Sequence, residues 1–66
     1  MIVTVNGESR TLSEGSTVRA LVRELDLPAE GVAVAVDGEV VPGSGWDDTL
    51  LSAGAEVDLL TAVQGG

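Results

Sequence analysis

The sequence predicts a small α+β domain in which one amphipathic helix covers one face of a mixed β-sheet. An apolar helical stripe near residues 18–25 and β-branched segments followed by Asn-Gly and Asp-Gly pairs carry this prediction. Hydrophobic residues make up 44% of the 66 residues but aromatic residues only 2%, so the core must be aliphatic. Valine favours pleated strands, so we expect a sheet-rich globular chain.

The N-terminal segment is predicted to form a β-hairpin. The β-branched strand Ile2–Val5 is followed by Asn6-Gly7, and the return strand spans residues 8–12. Asn-Gly is the strongest short hairpin signal, because it tolerates the two positive φ angles of a type I′ turn.

The helix is predicted from a stripe of apolar residues at i, i+3, i+4 and i+7. Ser16 or Thr17 is expected to cap its first turn, and Pro28 is expected to end it. Arg19, Arg23 and Glu24 should lie on the solvated side. The stripe consists of Val18, Leu21, Val22 and Leu25.

The second half is predicted to return to the sheet. Val32–Val36 should be a buried strand, and Asp37-Gly38 should turn it into a short edge strand that ends at Pro42. Residues 43–45 are expected to be a loop, and Trp46 should close one end of the core. The last strand spans 56–63. The whole pattern predicts a β-grasp roll, a single domain over residues 1–66 with a flexible tail at 64–66.

Composition excludes most catalytic chemistry. The chain has no cysteine and no histidine, so it offers no thiolate, no imidazole base and no usual zinc ligands. The chain has two candidate carboxylate pairs for a metal or acid–base role, Asp37 with Glu39 and Asp47 with Asp48. Turn and cap roles are favoured for both. We therefore predict neither an enzyme nor a metal site.

The net charge of the chain and the length of its apolar runs restrict which partners it can bind and where in the cell it is expected. A net charge of −8 disfavours binding to nucleic acid or to anionic lipid. The apolar runs are too short to span a bilayer, and the N-terminus lacks a signal-peptide pattern. A cytoplasmic location is expected.

The pair Gly65-Gly66 after the last strand is the remaining candidate for chemistry. A partner enzyme that activates a carboxylate must admit the chain through a narrow channel, and glycine has no Cβ to clash there. Gly66 is therefore predicted to carry the modified carboxylate, with Gln64 and Gly65 entering the partner. Residues 64–66 are expected to be mobile.

The whole sequence resembles the ThiS family of sulfur carriers in thiamine biosynthesis. Residues 60–63 lack the Pro-Pro pair that is common in the related carriers of molybdopterin synthase. The family often has asparagine at the position of Asp37. The features that carry the resemblance are Val3, Val5, Thr17-Val18, Leu21, Val32–Val36, the segment 40–42, Trp46, Gly54, Glu56-Val57 and Gly65-Gly66.

The resemblance implies a ubiquitin-like fold and a role as protein co-substrate. An E1-like adenylyltransferase would adenylate the Gly66 carboxylate with ATP. A persulfide supplied by a sulfurtransferase or cysteine desulfurase would convert it to a thiocarboxylate, and thiazole synthase would receive the sulfur. The resemblance implies no bound cofactor, because ATP and the sulfur donor act through the partner enzymes.

Alternation along the last strand predicts a docking surface. Val57, Leu59 and Thr61 should share one face of the strand, and Asp58, Leu60 and Ala62 the other. The first set matches the core face of ubiquitin-like folds, which leaves the second set, with the apolar Leu60, exposed beside the tail. Three alternatives remain open at this stage: a carrier for molybdopterin or another sulfurated metabolite, a ubiquitin-like modifier of other proteins, and a plain interaction module.

Overall fold

A computed structural model describes residues 1–28 and 30–61, and it begins with the predicted hairpin. Strands β1 (Ile2–Val5) and β2 (Glu8–Thr11) pair in antiparallel fashion. Asn6 and Gly7 have φ angles of 49° and 84°. Both values are positive, as a type I′ turn requires, which confirms the turn predicted from the Asn-Gly pair.

Helix α1 (Val18–Glu24) begins at Thr17. The Thr17 side chain accepts a hydrogen bond from the Ala20 N–H over 3.1 Å, which settles the choice between Ser16 and Thr17 as the N-cap. Val18, Leu21 and Val22 of the predicted stripe are buried.

The helix ends earlier than predicted, and Pro28 is not the cause. Asp26 adopts a left-handed conformation, with φ of 57°. Its N–H donates to the Arg23 carbonyl over 3.0 Å, and the Leu27 N–H donates to the Val22 carbonyl over 3.2 Å. This pair of bonds is a Schellman motif, which satisfies the last carbonyls of the helix before the proline is reached.

The cap assignment leads to a stability prediction. Thr17→Ala should lower the free energy of unfolding by about 1 kcal/mol, because the Ala20 N–H in the first turn loses the Thr17 hydroxyl as its acceptor. Ser16→Ala is the matched control, since the Ser16 hydroxyl bonds only the exposed Ser13 carbonyl. Urea denaturation of both variants measures the difference. Equal losses in the two variants would contradict the assignment.

The second hairpin also forms as predicted. Strands β3 (Val32–Val36) and β4 (Glu39–Val41) are antiparallel, and the residues between them, Asp37 and Gly38, have φ angles of 50° and 85°. In β3, however, only Val34 is fully buried, so the prediction of a buried strand was wrong. In sequence, an apolar strand that is buried on one face cannot be distinguished from an apolar strand that is buried on both faces.

Strand β5 (Glu56–Thr61) lies in the middle of a five-stranded sheet with the order β2-β1-β5-β3-β4. It is parallel to β1 and antiparallel to β3, so the sheet is mixed, as predicted. The order places β4 at an edge, which confirms the prediction made from Pro42. The predicted continuation of β5 to Val63 lies outside the described residues.

The core lies between α1 and one face of the sheet. Leu21 is completely buried at its centre. Trp46 closes the cluster as predicted, with 2% of its surface exposed and its Nε1–H donating to the Val41 carbonyl over 2.9 Å. The core consists of Val3, Val5, Leu12, Val18, Leu21, Val22, Val34, Trp46, Leu51, Ala55, Val57 and Leu59.

Two further predictions around Trp46 were wrong. Residues Gly43–Gly45 form a short 3-10 helix instead of a loop. Arg19 is half-buried: its guanidinium lies 5.3 Å from the centre of the Trp46 ring, and its Nε donates to Asp47 over 2.8 Å. The arginine therefore covers the tryptophan and ties α1 to the turn that follows the 3-10 helix.

Candidate functional site

The predicted site begins at the end of β5. Val57 and Leu59 are buried while Asp58 and Leu60 are exposed, so the predicted faces of the strand are confirmed for these residues. Leu60 is 72% exposed. Thr61 was also predicted on the core face, but it is exposed, so burial on that face ends at Leu59.

Neighbouring strands enlarge the apolar surface around Leu60. Ala33 pairs directly with Leu60, Ala35 pairs with Asp58, and Val40 on the edge strand pairs with Ala35. Paired residues share a face of the sheet. We call the surface formed by these five residues the outer face. Gly31, Val32, Ala33, Leu60 and Thr61 line a shallow apolar groove at its edge.

The charge beside this surface is entirely negative. Asp58 lies on the outer face, and Glu56, two residues earlier in β5, points the same way. The positive side chains lie elsewhere: Arg10 pairs with a core residue on the opposite face, and Arg19 and Arg23 belong to α1. An apolar centre beside carboxylates suits a partner that presents an apolar contact next to positive side chains.

The structure places two of the predicted site residues next to each other on one face of β5. Asp58 and Leu60 lie side by side in β5, while Ala62, Gln64, Gly65 and Gly66 lie outside the described residues. Sequence reasoning did not find Ala33, Ala35 or Val40, because cross-strand neighbours are unknown until the strand order is known. For Ala33 and Ala35, alternation with Val34 along β3 was an available signal.

One member of each candidate carboxylate pair makes a structural contact. Asp37 accepts a hydrogen bond from the Glu56 N–H over 3.0 Å, and Asp47 pairs with Arg19. Within residues 1–28 and 30–61, no three His, Cys, Asp or Glu residues come close enough to hold a metal ion. No helix in the same ranges is long and apolar enough to cross a membrane.

Comparison with known proteins agrees with this architecture. The model of the ThiS family matches residues 3–66. A crystal structure of the thiamine biosynthesis protein ThiS from Geobacter metallireducens superimposes with a TM-score of 0.86, at 35% identity and with 100% of both chains covered.

Two curated relatives extend the comparison. The sulfur carrier protein ThiS of Thermus thermophilus is 35% identical over 65 residues, which are 98% of this chain and 100% of the relative. A thiazole synthase of Paramagnetospirillum magneticum is 33% identical over all 66 residues of this chain, which spans only 20% of that protein's length.

Fold and family match together identify a small ubiquitin-like β-grasp protein that acts as a carrier and not as a catalyst. The chain belongs to the ThiS family of sulfur carrier proteins. Its place in thiamine biosynthesis follows from the same relatives.

Proposed function

We propose that the chain carries sulfur as a thiocarboxylate on Gly66. A carboxylate oxygen of Gly66 attacks the α-phosphate of ATP on an E1-like adenylyltransferase, and pyrophosphate leaves. The terminal sulfur of a persulfide, made by a sulfurtransferase or cysteine desulfurase, then attacks the acyl-adenylate and displaces AMP. A thiol reduces the resulting acyl disulfide and frees the thiocarboxylate.

The observation that carries the proposal is the family match, which extends through Gly65 and Gly66. The composition agrees with it. Without cysteine, the residues of this chain offer no thiol on which sulfur could travel. Without lysine, they also offer no side-chain amine on which copies of the chain could be joined.

Thiazole synthase is the proposed recipient of the sulfur. The Paramagnetospirillum magneticum relative bears that name and contains a segment similar to this whole chain. A carrier and its acceptor that share one polypeptide in a relative are good candidates for partners elsewhere. No bound cofactor is needed, since ATP and the persulfide act on the partner enzymes, and all steps belong in the cytoplasm.

Mass spectrometry of the intact protein tests the proposal directly. The protein is incubated with a cognate E1-like enzyme, ATP and a persulfide donor. The expected product is heavier by the difference between a sulfur and an oxygen atom, and fragmentation should place that difference on Gly66. An unchanged mass with an enzyme that activates another ThiS-family carrier would overturn the proposal.

The outer face is the proposed docking surface for the E1-like enzyme, with Leu60 as its most important apolar residue; Ala62, two positions later in the sequence, is proposed to take part as well. Leu60→Arg should leave the fold intact, because 72% of the side chain is already in solvent. It should raise the KM for the carrier in adenylation by about tenfold or more, as the loss of a central apolar contact does at other interfaces.

Ile2→Arg is the matched control for this substitution. Ile2 is also exposed and apolar, but it begins β1 and lies near Gly54, at the opposite end of the sheet from Leu60. Its KM should stay close to that of the unaltered protein. If both variants are activated equally well, the enzyme docks elsewhere, and the proposal for Gly66 is unaffected.

A further inference from the structure

The first hairpin turn has a second contact that its turn sequence does not require. The Leu59 N–H donates to the side-chain Oδ1 of Asn6 over 2.8 Å. The Asn6 side-chain Nδ2 in turn donates to the Leu59 carbonyl over 3.2 Å. The carboxamide thus pairs with both backbone groups of one residue in β5.

This contact continues the parallel ladder between β1 and β5. The Thr4 N–H donates to the Ala55 carbonyl and the Asn6 N–H to the Val57 carbonyl, each over 2.9 Å. The next rung would fall at Leu59, but the backbone of β1 has already turned away, with Asn6 at φ of 49°. A carboxamide has the donor and acceptor of a peptide unit, so the Asn6 side chain takes the place of the missing rung.

The second hairpin turn offers an informative comparison. Asp37 occupies the equivalent turn position, with φ of 50°, and its Oδ1 accepts from the Glu56 N–H. Its own N–H already donates to the Glu56 carbonyl over 2.8 Å, so an acceptor alone is sufficient there. At Asn6 the side chain must also donate, because an aspartate would place a carboxylate oxygen against the Leu59 carbonyl.

We propose that Asn6 is a positioning residue for the sulfur-carrier reaction. It holds β5 at Leu59, directly before Leu60 of the docking surface and seven residues before Gly66. This role rests on the proposed activation of Gly66. When the end of β5 is already held in place, fewer residues have to be ordered as the partner binds. The contact between Asn6 and Leu59 should therefore strengthen binding to the partner. It should leave the chemical step alone.

The test compares Asn6→Gly and Asn6→Asp with Asp37→Gly. Glycine keeps the positive φ of either turn, so the two glycine variants make the same change at equivalent positions. Amide hydrogen exchange is measured at Leu60, and adenylation kinetics are measured with an E1-like enzyme well below the unfolding temperature. Thermal unfolding records the general loss of stability.

Asn6→Gly should speed exchange at Leu60 by about tenfold, because β5 loses two hydrogen bonds on its β1 side. The KM for the carrier should rise by about fivefold or more at unchanged kcat, as expected when preorganisation is lost. Asn6→Asp should behave similarly, since it removes the donor. Asp37→Gly should lower the unfolding temperature and leave KM and Leu60 exchange near their original values.

Two results would overturn the inference. The first is an Asn6→Gly variant whose Leu60 exchange rate and KM match those of the unaltered protein. The second is an increase in KM for Asp37→Gly as large as that for Asn6→Gly. The second would mean that lost stability alone weakens activation. If the unaltered protein is not adenylated at Gly66, the proposed function fails. Exchange at Leu60 then decides by itself whether Asn6 holds the end of β5.

Discussion

A chain shortened to end at Gly65 is expected to fold normally and to form no thiocarboxylate. All core residues among those that the structure describes lie between Val3 and Leu59, far from Gly66, so unfolding should be nearly unchanged. The terminal carboxylate, however, falls about 3.5 Å short of its place in the activating enzyme. A misplacement of about 1 Å can cost about 100-fold in rate. Intact-mass spectrometry after incubation with enzyme, ATP and sulfur donor measures the loss.

Two further variants separate the position of the carboxylate from the shape of the tail. Gly65→Val keeps the chain length but should react almost as poorly, because a β-branched side chain restricts the backbone and crowds a narrow channel. One residue added after Gly66 should also block activation by moving the carboxylate past the phosphate. Sulfur transfer by a chain that lacks both glycines would falsify the assignment of the terminus as the reactive group.

Leu21→Ala is expected to be the most destabilising single truncation in the helix. Leu21 has 0% exposure and belongs to the core shared by α1 and the sheet. Truncation leaves a cavity, with an expected cost of about 2–5 kcal/mol in the free energy of unfolding. A domain of this size has only a few kcal/mol of stability to lose.

Leu50→Ala provides the matched control for this loss. Leu50 is 66% exposed, so the same chemical change removes little buried surface and should cost under about 0.5 kcal/mol. Urea denaturation of both variants gives the comparison. Similar small losses at Leu21 and Leu50 would show that the helical stripe contributes little to the core.

Local patterns were sufficient for much of the fold. Both type I′ turns follow from Asn6-Gly7 and Asp37-Gly38, because few residue pairs tolerate two positive φ angles. The helix follows from its apolar stripe. Alternation along β5 separates Leu60 from Val57 and Leu59, and the resemblance to ubiquitin-like folds indicates which of the two sets faces the core. These features depend on residues close together in the chain, where sequence spacing alone sets the geometry.

The family of carriers was also predictable, since the resemblance rested on residues spread over the whole chain, and the family match confirms it. The roles of Gly66, Gly65 and Gln64 remain predictions. Their chemistry was inferred from the absence of other reactive groups and from the family, not from a packed site with distances that the fold imposes.

Only the tertiary structure decided which distant residues meet. Arg19 was expected in solvent but lies over Trp46, which belongs to the segment after β4. The outer face around Leu60 and the bonds from Asn6 to Leu59 depend on the strand order β1-β5-β3. By itself the sequence determined the helix, the strands and the two hairpin turns, because these follow from local spacing and residue type, and residues spread over the whole chain indicated the kind of protein. Contacts between residues far apart in the chain, such as Arg19 with Trp46 and Asn6 with Leu59, depend on how those elements pack, which no local pattern encodes.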